Sequence, residues 1–187
     1  MKKQLLFLSI AMIIGLSGCG NSTSNEESQN NNSEPKQEEM KMEMNHSGSG
    51  EVPESLKVAE NPTYEVGSEA IIKTDHMEGM EGAVATIVGA YDTTAYAISY
   101  TPVTGGERVE NHKWVIQEEV KDDDDKTLEQ GTEVTVEADH MKGMEGALAE
   151  IDSAEKTTVY MIDYTPTTGG EEVTNHKWVT ESELSAK

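Results

Sequence analysis

One imidazole and two thioethers recur at fixed spacing in this chain: His76, Met77 and Met80, then His140, Met141 and Met144. They lie in Asp75-His76-Met77-Glu78-Gly79-Met80-Glu81-Gly82-Ala83 and in Asp139-His140-Met141-Lys142-Gly143-Met144-Glu145-Gly146-Ala147, an offset of 64 residues. The same offset carries Gly67 to Gly131, Tyr100 to Tyr164 and Trp114 to Trp178. Roughly thirty of about fifty aligned positions are identical without a gap, so the chain is a tandem duplication that supplies its own comparison. Thioether sulfur with neutral imidazole suits soft ions such as Cu(I), whereas Zn(II) prefers harder or thiolate donors. Gly79 and Gly143 allow each loop to curl, which would let the three donors converge. The aspartate before each histidine could orient its ring. The competing explanation is a hydrophobic flap in which methionine fills irregular gaps in a core.

A second retained cluster is Asn111-His112-Lys113-Trp114-Val115, matched by Asn175-His176-Lys177-Trp178-Val179. On an alternating strand, residues two apart share a face, which would set His112 beside Trp114 and His176 beside Trp178. Such a histidine is either a further ligand or a hydrogen-bonded core residue, and the indole could cover a bound Cu(I). Tyr-Thr-Pro-x-Thr-Gly-Gly-Glu, at Tyr100 to Glu107 and Tyr164 to Glu171, has the composition of a hairpin turn. No nucleophile stands beside a base, and the retained carboxylates adjoin metal-type residues, so catalysis is not expected.

The elements that must position these residues are short strands. Glu133 to Glu137 alternates apolar and polar, Ala147 to Ile151 is a compact apolar run, and Val159 to Tyr164 and Glu172 to Val179 are rich in β-branched and aromatic residues. Four or so strands in each copy predict an all-β protein built from two small, strongly bent β-barrels, at 62–120 and 128–187. Their expected centres are Trp114, Tyr96, Tyr100, Ile87 and Ile98 in the first copy, with Trp178, Tyr160, Tyr164, Ile151 and Ile162 in the second. Between them, 121–127 carries four consecutive aspartates, whose mutual repulsion predicts an exposed linker.

Upstream, Lys2 and Lys3 precede an apolar stretch of about a dozen residues and then Leu16-Ser17-Gly18-Cys19, predicting a signal peptide over 1–18. The tetrad resembles the bacterial lipobox, which makes Cys19, the sole cysteine, a lipid attachment point. Thiolate sites and disulfides are thereby excluded from the mature chain. Residues 19–61 are polar and predict a disordered tether. Within it, Met40, Met42, Met44 and His46 form a candidate soft-metal hook, with chance composition the alternative. The net charge of −22 argues against nucleic acid as a partner and is equally explained by solubility at a cell surface.

With lipobox, tether and paired motifs in place, the chain resembles the YdhK-type lipoproteins of Gram-positive bacteria. Members resembling the copper-binding lipoprotein CopL are associated with surface copper binding and copper tolerance. The resemblance implies a tandem of SH3-like barrels held by lipid at the extracellular face of the membrane. The function expected is sequestration or buffering of Cu(I), without an organic cofactor, with a copper exporter or cell-wall component as candidate partner. The alternative is a metal-free binding module for cell wall or a surface protein.

Overall fold

The computed structural model describes residues 47–121 and 126–187. Cys19, Met40, Met42, Met44, His46 and the aspartates at 122–125 lie outside the described residues. Everything described belongs to one compact unit, Met42–Lys187.

Among the described residues nine strands follow in order: β1 (Lys57–Val58), β2 (Glu69–Ile72), β3 (Val84–Tyr100), β4 (Val109–Ile116), β5 (Val120–Lys121), β6 (Glu133–Val136), β7 (Leu148–Tyr164), β8 (Val173–Thr180) and β9 (Leu184–Ala186). Short 3-10 turns, Gln117–Glu119 and Glu181–Glu183, precede β5 and β9. The protein is all-β, with two tandem repeats and antiparallel pairing throughout the described residues.

Pairing crosses the repeats. β3 and β7, each 17 residues long, run antiparallel along their whole length, from Ala85 opposite Tyr164 to Tyr100 opposite Ala149. β2 pairs with β3 and with β9 of the second repeat, while β6 pairs with β7 and with β5 of the first. The ladder skips one residue on each long strand, Val88 and Asp152, which are equivalent under the 64-residue offset. The pattern is a pseudo-twofold with its axis through the β3–β7 ribbon.

The apolar residues sort accordingly. Ile72, Met80 and Ile87 of the first repeat pack with Tyr160, Ile162, Tyr164 and Leu184 of the second. Tyr96, Ile98, Tyr100 and Val115 of the first pack with Val136, Met144 and Ile151 of the second. A third cluster joins Trp114, Ile116, Val159, Met161 and Trp178. The expected centre within each copy is therefore divided. At about 3.3 Å per residue, Ile87 and Ile98 stand roughly 35 Å apart along one strand and cannot serve one small core.

Two further differences have the same origin. Asp152 to Thr158 interrupts the apolar pattern and suggests a break, yet it continues β7, because β3 satisfies its backbone and its side chains face outward. The tether expected over 19–61 ends earlier: β1 pairs with β3, and Leu56 and Ala59 are buried, Leu56 against the tryptophan cluster.

Candidate metal centre

Each His-Met loop leaves β2 or β6 and is seated against the other repeat. Glu137 donates its N–H to the Glu119 carbonyl at 2.8 Å, and Lys73 does the same to Glu183 at 2.8 Å. At the far side, Val103 N–H reaches the Gly143 carbonyl at 2.9 Å, and Thr167 N–H reaches that of Gly79 at 2.9 Å. The Thr-Pro-x-Thr-Gly-Gly segment is thus a hairpin turn that also clasps the partner repeat's loop. Gly143 has φ +81, and a Cβ there would meet Thr104 Oγ1 at 2.5 Å, so both conformation and space demand glycine.

The histidines are oriented by carboxylates from the opposite repeat. His76 Nε2 lies 2.7 Å from Glu183 Oε1, and His140 Nε2 lies 2.9 Å from Glu119 Oε1. Because a carboxylate only accepts, Nε2 is the donor in each pair, and in the neutral ring the lone pair then sits on Nδ1. Both Nδ1 atoms are buried and have no hydrogen-bond partner, as is Nε2 of His112. The second oxygen of each glutamate is also held. Glu183 Oε2 accepts Trp114 Nε1 at 2.8 Å and Thr180 N at 3.0 Å, and Glu119 Oε2 accepts Trp178 Nε1 at 3.0 Å and Ile116 N at 3.2 Å. Burial opposes charge on both glutamates, but these donors, foremost the paired histidine, hold their pKa values below the ordinary one.

His112 and His176 stand edge-on to Tyr100 and Tyr164, with ring centroids at 6.1 and 5.9 Å. Regular alternation fails here: Asn111 and Asn175 take φ of 51 and 52, and the β4 and β8 registers shift beside them. Asparagine tolerates that left-handed conformation, which accounts for its place before each histidine. The tryptophans turn into the third core and donate to the glutamates, so they do not line the histidine cavity as the cation–π expectation required. Burial, then the charges of His140 and His76, push the His112 pKa down to about 4. Its imidazole is neutral at ordinary pH.

One cavity of about 850 Å³ gathers His76, His112, His140, His176, Met77 and Met141. Met80 and Met144 are not among its lining residues; both are fully buried in the two main cores, which explains their retention as packing. Asp75 and Asp139 are exposed, and the orienting role expected of them belongs to Glu183 and Glu119. The sequence carried a signal for those two: Glu119 and Glu183 are themselves related by the offset of 64. Among the described residues, no three His, Cys, Asp or Glu side chains form a ready metal cage. Residues 47–49 close one side of the cavity, with Gly48 N bonded to the Thr174 carbonyl at 2.9 Å.

The family described as protein of unknown function (DUF1541) matches residues 66–117 and 130–181, one match for each repeat. Uncharacterized protein YdhK of Bacillus subtilis (strain 168) is 62% identical over 186 residues, covering 100% of this chain and 90% of the relative. The crystal structure of that organism's DUF1541 family protein YdhK superposes with a TM-score of 0.74 at 70% identity, over 78% of this chain and 99% of that one. A solution NMR structure of the YdhK C-terminal domain gives 0.63 at 72% identity, over 66% and 93%.

Proposed function

The chain belongs to the DUF1541 family, and from that premise we propose that it is a copper-binding protein that holds Cu(I) in the cavity between its repeats. The observation that carries this is the set of buried imidazole nitrogens without partners, Nδ1 of His76, Nδ1 of His140 and Nε2 of His112, around one cavity with two thioethers. A buried polar atom left unpaired costs about 1–3 kcal/mol, a cost that a bound ion removes. The carboxylate behind each loop histidine is the usual outer-shell partner of a metal-binding imidazole, fixing its tautomer and raising its basicity. Imidazole with thioether suits a soft ion taking few ligands.

In this proposal Cys19 carries lipid, the chain sits at the extracellular face of the membrane, and it buffers or sequesters copper there. The test is an anaerobic Cu(I) titration against a competing chelator, using the chain with Met40→Ser, Met42→Ser, Met44→Ser and His46→Asn so that only the cavity reports. Tight binding that weakens tenfold or more in Met77→Leu/Met141→Leu is expected. Affinity and stoichiometry unaffected by replacing both methionines and all four cavity histidines would overturn the proposal.

A second cavity favours the metal-free alternative. Thr93, Thr94, Thr157 and Thr158 line a cleft of about 770 Å³ whose rim carries both Lys57 and Lys156 and the carboxylates Asp92, Glu118 and Glu181, a surface suited to a polar polymer such as cell wall. Co-sedimentation with purified cell wall that survives chelation would support it.

A further inference from the structure

We infer that each copper site is composite, the His-Met loop of one repeat meeting the strand histidine of the other: His140 and Met141 with His112, and His76 and Met77 with His176. This rests on the copper reading above and specifies its architecture.

The loop bearing His140 and Met141 is fixed at two points, both supplied by the first repeat. At one, Glu119 takes the His140 ring and the Glu137 N–H; at the other, Val103 N–H takes the Gly143 carbonyl. In the chain, β4 runs between those two anchors, and His112 lies on β4. Its ring rests on Tyr100, in the same core against which Met141 and Val109 of β4 pack. The mate is built alike. Glu183 and Thr167 hold the His76 loop from the second repeat, and Met77 packs on the core containing Val173 and Tyr164, the tyrosine under His176.

A loaded site would bridge the repeats, so copper binding and repeat docking become linked. It also places Lys142 beside the His112 site and Glu78 beside the His176 site, making the two electrostatically unequal.

The experiment is anaerobic Cu(I) competition on the full chain carrying the tether substitutions above, with His76→Asn, His112→Asn and His140→Asn singly and in pairs. Composite sites predict that His112→Asn/His140→Asn loses no more tight capacity than either single change, about half. His112→Asn/His76→Asn then loses nearly all of it. The reverse pairing overturns the inference while leaving the copper reading intact, as does loss of all capacity from any one substitution. A parent chain that takes up no Cu(I) overturns both. Imidazole ¹⁵N NMR of the chain without histidine substitutions, titrated with sub-stoichiometric Ag(I), gives a check free of folding defects. His112 and His140 resonances are expected to shift together; joint shifts of His112 and His76 alone would count against the composite arrangement.

Discussion

Glu119 and Glu183 each gather an imidazole, an indole and a backbone N–H from two repeats onto one carboxylate, buried at Glu119 and partly buried at Glu183. Removing such an acceptor strands several donors at once. Glu119→Ala is expected to destabilise the protein by about 2–4 kcal/mol, read as a lower urea midpoint with unchanged slope, and Glu119→Gln by less. The pH dependence follows from the same residues. His112 titrates near 4 in the folded state against an ordinary 6.5, so the unfolded chain binds the extra proton and stability falls as pH drops from about 6.5 toward 4. Glu119 and Glu183 are held below their ordinary 4.5, so their contribution is present above that value and is lost as pH falls further. Metal-free protein is therefore expected to lose stability continuously below about pH 6.5, and His112→Asn to flatten the upper part of that decline in urea titrations.

At the level of strands and turns, much was legible because local pattern and burial agree. The alternation at Glu133–Val136 is β6 as observed, and the loop between β6 and β7 carries the histidine where expected. What was not legible is pairing at long range. Nothing local distinguishes a turn that merely joins β3 to β4 from one that also grips the other repeat's loop, and identity at Thr104 and Thr168 serves either purpose. Methionine was ambiguous for a similar reason: Met77 and Met80 are three residues apart with one chemistry, and only the turn through Gly79 sends Met80 into the core while Met77 faces the cavity. The clasp gives a test at this scale. Gly143→Ala forces a Cβ against Thr104 at a positive φ and is expected to cost about 1–3 kcal/mol. The companion Gly143→Ala/Thr104→Ser, which removes the methyl but keeps the hydroxyl, should recover little; Gly143→Ala/Thr104→Gly should recover part. A neutral Gly143→Ala in thermal melts would show that the turn does not bear on the loop.

For the whole molecule, duplication and interleaving together make one repeat insufficient. Each main core takes its β2- or β6-side residues from one copy and its β7- or β3-side residues from the other, so a fragment of residues 62–126 would expose half of two cores. It would not lack a partner, however. The β3–β7 ladder sets Ala85 opposite Tyr164 and Ile87 opposite Ile162, and the offset of 64 makes these Tyr100 and Ile98 of a second first-repeat copy. The pseudo-twofold would become a true one, with the same surface facing itself across an isologous interface. Val120–Lys121, which pairs with β6 in the intact chain, would pair with β2 of the second copy. The fragment is accordingly expected to sediment as a dimer and to melt at a temperature that rises with protein concentration, because association and folding are one equilibrium. The tether-substituted full chain should melt independently of concentration. A fragment that is monomeric, cooperatively folded and indifferent to dilution would mean that a single repeat can close its own core, and the pairing between repeats would then be a docking arrangement rather than the basis of the fold.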